Sequence, residues 1–337
     1  MFPMISSVSK HIGDILTHAI EFTADHEALV IYDLEAPLTK IITDGYRAHL
    51  PESSFLNIAD TSAEALLARF KTMRPGDLVI LVQSTSFRLN EFRIRIELFQ
   101  QELKTIEHIH LGRMDESQFE TYVDSLAYNP DDIRPLGHDL KKRIDSCQRI
   151  TVECPETTLF YETPFELSKL NIGDYSQMKN VGGTYPIGEV FSEPQDLTNV
   201  NGDIKIFAFA GKDHLIREYE PFLAHIKDGI LSAPNAPEEF RETLTMIEEE
   251  SPVFVREFGL GLNRAMGKGH LVNDLTAFER MRGMHMSLGA KHSIYKKPGM
   301  SRKSGRYHVD IFLDLERITI DDEVIFQKGD YTFQPPS

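Results

Sequence analysis

Five residues in the second half of this chain are of the types that hold a divalent metal ion. His308 and Asp310 stand two apart in Tyr307-His308-Val309-Asp310-Ile311, a strand-like run, so both side chains point to one face. An imidazole nitrogen beside a carboxylate is half of a metal site. Glu189 follows Tyr185-Pro186-Ile187-Gly188, a turn that can present a carboxylate. Glu257 sits in Val255-Arg256-Glu257-Phe258-Gly259-Leu260-Gly261, an apolar, Gly-rich stretch where a buried acid is costly unless paired or metal-bound. His285 lies among small and apolar neighbours in Gly283-Met284-His285-Met286-Ser287-Leu288-Gly289. The five spread over roughly 120 residues, far beyond a local motif, so only the fold can assemble them.

Other chemistries find less support. Gly259-x-Gly261 with Gly267-Lys268 suggests a phosphate loop, but the spacing is wrong and Gly269 follows the lysine in place of Ser or Thr. Cys147 and Cys154 are the two cysteines, too few for a disulfide framework or a Cys-rich zinc module. No G-x-S-x-G elbow occurs. Lys plus Arg at 36 against Asp plus Glu at 52 leaves a net charge of −16, a surface that repels phosphate backbones and argues against nucleic-acid partners. Apolar runs such as 78–82 are strand-sized, and residues 1–23 lack a signal-peptide design, so neither a membrane span nor export is expected. The cysteine usage fits a cytoplasmic location.

The elements that must position these residues fall into two expected domains, 1–135 and 136–337. The first reads as an α/β, Rossmann-like domain with a largely parallel sheet. Strands are expected at 28–32, 55–58, 77–82 and 109–111, and helices at the N-terminus, through Ile41 to Tyr46, at 63–70, 92–103 and 116–126. No G-x-G-x-x-G follows any of these strands, so a cofactor-binding role for this domain is not expected. Turn chemistry at 129–137 marks the link. The second domain reads as α+β and mainly antiparallel, with strands at 150–153, 159–161, 204–208 and 309–313. Two helices are expected there: 237–249, with Phe240, Leu244 and Ile247 on one face, and 274–288.

The site segments, taken in order, resemble the aminopeptidase T/aminopeptidase S metallopeptidase family. Gly188-Glu189-Val190-Phe191-Ser192-Glu193-Pro194 followed by Val200-Asn201-Gly202 resembles its first metal-ligand segment. Lys227-Asp228-Gly229-Ile230, then a helix, then Arg256-Glu257-Phe258-Gly259-Leu260, is similar to the segment of its second glutamate. Met284-His285-Met286-Ser287-Leu288-Gly289 resembles its histidine segment, and Tyr307-His308-Val309-Asp310 its final His-x-Asp. The resemblance spans roughly residues 180–330 and implies that Glu189, Glu257, His285, His308 and Asp310 hold one or two divalent ions, zinc, cobalt or manganese. It implies a hydrolase that cleaves an amide or peptide bond, with Glu257 bridging the ions and a homodimer as the assembly.

Two positions depart from that family. Its tyrosine seven residues after the first histidine is here His292, with Tyr295 three further on; its glutamate five before that histidine is here Arg280, next to Glu279. His292 would then serve as donor to the tetrahedral oxyanion. On a continuous helix Glu279 and His285 would lie about 120° apart, which sets Glu279 beside the ligands and not among them. The chain also resembles the dihydroxypyridine ring-cleaving dioxygenases of the same fold, in its length, its His-x-Asp and the basic run Lys291, Lys296, Lys297, Arg302, Lys303, Arg306. That likeness implies one iron(II) on His308, Asp310 and a further ligand. A non-catalytic binding or assembly role is the third reading of the same fold.

Overall fold

The structure is a computed structural model and describes residues 2–89, 92–295 and 307–333. The chain forms two compact units, the first from Met1–Arg134, Gly173–Ile187 and Val272–Ala277, the second from Pro135–Ile172, Gly188–Leu271 and Phe278–Ser337.

The first unit is built on a parallel sheet of β1 (Ala28–Tyr32), β2 (Phe55–Asn57), β3 (Leu78–Val82) and β4 (Lys104–His108), with the short strand Gly182–Thr184 beside β4. The spatial order is 182–184, β4, β3, β1, β2, every pair parallel. The unbroken apolar run of β3 is buried throughout, as a central strand covered on both faces must be. On one face Leu29, Ile31, Val79 and Leu81 pack with Leu66 and Phe70 of the helix Ala63–Thr72. The helix Pro37–Arg47 carries Gly45, where an added Cβ would lie 2.6 Å from Ile12, so the N-terminal helix Phe2–Asp14 approaches closely there.

Ligands of such sheets bind at the carboxyl ends of the strands where the strand order reverses. That point lies between β1 and β3 and is filled by Asp33, which is 4% exposed. Its carboxylate accepts hydrogen bonds from Ser84 N at 2.8 Å, Ser84 Oγ at 3.0 Å and Glu35 N at 3.1 Å. A carboxylate in this position opposes a pyrophosphate.

The expected strand at 109–111 is displaced: the strand is Lys104–His108, and Leu111–Arg113 is a 3₁₀ turn. The expected helix at 92–103 is shorter, Ile94–Gln100. The turn chemistry expected at 129–137 gives way to a helix, Pro130–Ser146. Asn129 Oδ1 accepts from Asp131 N at 3.2 Å, so Asn129-Pro130 opens a helix here instead of a turn.

In the second unit a curled, mainly antiparallel sheet carries the candidate ligands. Four adjacent strands matter most: β5 (Glu189–Ser192), β6 (Val255–Gly261), β7 (Gly283–Gly289) and β8 (His308–Leu313). They lie in that order, each antiparallel to the next. Beyond β8 the sheet continues through Val200–Ala210, Thr157–Tyr161, Ile150–Cys154 and Arg317–Ile320. The helix Glu238–Glu248 buries Phe240, Leu244 and Ile247 as its spacing predicts, Phe240 meeting Phe209 and Phe222. Among the described residues no helix is long and apolar enough to cross a membrane.

The expected helix at 274–288 is overturned. Only Leu275–Phe278 is helical, and His285 stands on β7. The methionines and leucine of this stretch are strong helix formers, but His285 and Ser287 alternate with Met284, Met286 and Leu288. Gly283 and Gly289, both at positive φ, close the strand at its two ends. A period of two with glycine at both ends is a strand pattern.

Candidate metal centre

Register places the site on one face of β5 to β8. Glu189 pairs with Gly261, Gly259 with His285, Ser287 with Asp310, and Gly289 with His308. Residues directly opposite share a face, so one side of these strands carries Glu189, His285, Ser287, His308 and Asp310. The other side carries Val190, Leu260, Met284, Met286, Leu288 and Ile311, all buried. A bulge between Val255 and Phe258 interrupts the pairing at Glu257, whose N–H donates to Ser287 Oγ at 3.0 Å. Glu189, expected to follow a turn, is the first residue of β5.

Two glycines make the room. A Cβ on Gly259 would lie 2.1 Å from the His285 ring, so the imidazole rests directly on the backbone of β6. A Cβ on Gly261 would lie 1.9 Å from Met281 O and 2.7 Å from the carbonyl carbon of Arg280. The segment carrying Arg280 therefore lies against the same strand.

Three buried donors converge. His285 Nε2 lies 3.2 Å from Glu257 Oε1 and 3.4 Å from Glu189 Oε1. One ligand atom from each of Glu189, Glu257 and His285 lies within 4.8 Å of the others. His308 Nε2 lies 3.3 Å from Asp310 Oδ1. Arg280 Nη2 lies 3.4 Å from Glu189 Oε2, and its Nη1 donates to Glu279.

The electrostatics follow from burial and charge together. Burial alone would raise Glu189, but Arg280 and His285 hold its carboxyl below the ordinary range. Burial would lower His285, but Glu189 and Glu257 reverse this and hold the imidazole well above its usual value. His308 is raised to about 10 against the pull of burial, chiefly by Asp310. Asp310 is in turn lowered by His308, His285 and Arg280, which outweigh its desolvation. Glu279 is pushed up to about 8 by burial and the neighbouring carboxylates, with Arg280 opposing.

A metal ion fits this donor set on an independent observation. Eight buried side-chain polar atoms among the described residues lack a hydrogen bond, and four are here: Asp310 Oδ1 and Oδ2, His285 Nδ1 and Arg280 Nε. Buried polar atoms are otherwise almost always satisfied; a cation would complete the two Asp310 oxygens, and an oxygen of water or substrate the His285 and Arg280 nitrogens.

His292 lies off β7, past Gly289, not on a helical continuation. Its ring centroid is 5.9 Å from that of His308 and 5.4 Å from that of Phe191. Ile294 N donates to His292 Nδ1 at 3.3 Å, so a neutral ring carries its proton on Nε2. Its own N–H donates to Glu193 Oε1 at 2.7 Å, and Lys291 Nζ lies 3.5 Å from Glu193 Oε2. The rest of the basic run, Lys296, Lys297, Arg302, Lys303 and Arg306, lies outside the described residues.

Sequence reasoning missed Ser287, fully buried and aligning Glu257 through its backbone, and it placed Arg280 as a mere departure. Ser287 was findable: it stands two residues from His285 and so shares its face once the strand period is recognised.

No protein-family model matches the chain, and no curated protein matches its sequence. Among solved structures, 2,5-dihydroxypyridine dioxygenase from Pseudomonas putida shares the fold with a TM-score of 0.64 at 12% identity, over 97% of each chain. Wild-type AmpT, an aminopeptidase T, from Thermus thermophilus shares it with a TM-score of 0.60 at 14% identity, over 97% of this chain and 99% of that one. At these identities the likeness establishes the fold, and a fold hosts many chemistries.

Proposed function

We propose that this chain is a metal-dependent hydrolase that cleaves an amide or peptide bond in a small-molecule or peptide substrate. The observation that carries the reading is the buried cluster of Glu189, Glu257 and His285, with both oxygens of Asp310 lacking a hydrogen bond on the same face. Glu189, Glu257 and His285 would hold the ion, with His308 and Asp310 completing the set. A bound divalent ion supplies Lewis acidity and a water deprotonated near neutral pH. Glu257 is fixed by its N–H on Ser287, which aims its carboxylate at His285. His292, with Nδ1 occupied by Ile294 N, offers Nε2–H to an oxyanion beside His308. AmpT, an aminopeptidase T, shares the fold, so the fold accommodates this chemistry.

One observation favours a second reading. His285, His308 and Asp310 share one sheet face on adjacent strands, the two-histidine, one-carboxylate set of mononuclear iron(II) oxygenases, and a dioxygenase shares the fold.

Elemental analysis of protein purified without added metal, followed by assay with aminoacyl anilides, tests the proposal. Bound zinc, cobalt or manganese with anilide cleavage is the expected result. Bound iron with substrate-dependent oxygen consumption would replace it by the second reading, and no metal at all would remove both.

A further inference from the structure

The centre already contains a cation of its own. The Arg280 side chain is 8% exposed, reaches Glu189 Oε2 with Nη2 at 3.4 Å, and donates through Nη1 to Glu279. A guanidinium does not lose its proton in a protein, so this is a permanent positive charge set among Glu189, Glu257, Glu279 and Asp310. Glu189 is divided by it: Oε1 faces His285 and Oε2 faces Arg280. Paired metal ions about 3.5–4 Å apart need such neighbouring carboxylates to serve both of them. Here the outward oxygen of Glu189 and the nearby Glu279 are both committed to the guanidinium.

The placement is built into the strand. Gly261 pairs with Glu189 in the register, and its missing Cβ is what lets the 280–281 backbone lie against β6. A buried carboxylate such as Glu189, 3% exposed, is costly unless a counter-charge or hydrogen bonds meet it. On the inward side that charge is a ligated ion or a protonated His285; on the outward side it is Arg280.

We propose that the Arg280 guanidinium holds the place of a second metal ion, so that the centre takes one divalent cation, at Glu189, Glu257 and His285 with His308 and Asp310. This rests on the metal-dependent reading above and narrows it. A second divalent ion would meet the fixed guanidinium at short range in a water-poor site, where repulsion is strong. Arg280 neutralises Glu189 and Glu279 but has no orbital with which to ligate or acidify water. Its buried Nε, without a hydrogen-bond partner in the protein, remains a donor for an oxygen of water or substrate.

The test is a count of metal. Chelator-treated native protein is titrated with zinc, desalted and measured by elemental analysis, beside Arg280→Glu and Arg280→Met. The native protein is expected to hold one equivalent, Arg280→Glu two, and Arg280→Met a second, weaker equivalent. Cobalt-loaded native protein should give the electron paramagnetic resonance signal of an isolated high-spin ion, a reading that needs no variant to fold. Two equivalents or a spin-coupled cobalt pair in the native protein would overturn the proposal and leave the metal-dependent reading standing. One equivalent in a folded Arg280→Glu would also overturn it. No zinc or cobalt in any of the proteins would remove the metal-dependent reading and the proposal with it.

Discussion

Two buried histidines, one in each unit, show what separates structure from chemistry in this chain. His108 in the first unit is fully buried, its Nε2 2.8 Å from the Tyr46 hydroxyl and its Nδ1 3.0 Å from the Tyr122 hydroxyl. His285 in the second unit is 1% exposed and faces the carboxylates of Glu189 and Glu257. Burial pushes both imidazoles toward the neutral form. Among tyrosines nothing opposes it, and His108 falls to about 3; among carboxylates the push is reversed and His285 rises. Both nitrogens of His108 have partners, whereas His285 Nδ1 and both oxygens of Asp310 have no hydrogen bond. The first arrangement is complete without a ligand. The second gains from a cation.

The strongest way to break that contrast is to remove a residue from each side. His308→Ala should weaken zinc binding by more than about 100-fold, since even partners beyond the ligands are worth 10–100-fold. Full metal occupancy in this variant, measured by elemental analysis after dialysis, would take His308 out of the ligand set. His108→Ala should leave metal content unchanged and instead destabilise by about 2–4 kcal/mol, from a cavity and the unpaired Tyr46 hydroxyl, Tyr122 keeping its bond to Tyr185 O. Denaturant titration reads that loss, and an accompanying loss of metal would erase the distinction between the two histidines. His292→Ala sharpens the second site from within: metal retained, turnover reduced roughly 100-fold, as for loss of one oxyanion donor. Loss of metal in that variant would make His292 a ligand instead.

The sequence was legible where one period dominates. The apolar run 78–82 and the face of Phe240, Leu244 and Ile247 became the strand and helix that their patterns imply. Residues 274–288 misled because composition and period disagreed: Met284, Met286 and Leu288 favour helix, while the alternation through His285 and Ser287 is that of a strand. Residues 129–137 misled in the opposite way, since Asn-Pro opens a helix as readily as a turn. The His308-x-Asp310 pair is adjacent in sequence and needs no tertiary knowledge. The role of Arg280 does, because it depends on Gly261 letting a segment some 20 residues away lie against β6, and only the register of β5 with β6 sets Gly261 opposite Glu189.

The smallest effect, and the finest test of the contrast, is in pH dependence. His108 has a folded value near 3 against an ordinary 6.5. Between these the unfolded chain binds a proton that the folded chain refuses, so stability from this residue is present above pH 6.5 and is lost as pH falls. His308 in metal-free protein is shifted the other way, to about 10. Its contribution is full below pH 6.5 and is lost as pH rises through 10. The two histidines therefore act on opposite limbs of the stability profile. For the fully buried His108 one displaced titration is worth about 1.4 kcal/mol per pH unit inside its window; the His308 side chain, 32% exposed, is screened by water and contributes less. Denaturant midpoints of chelator-treated protein should fall less steeply from pH 6.5 to 5.5 in His108→Gln, and less steeply from pH 7 to 9 in His308→Gln. Each variant should leave the other limb as it is in the native protein. If His308→Gln alters the acid limb and not the alkaline one, its imidazole is neutral in the metal-free protein, and the carboxylates around it do not hold a proton there.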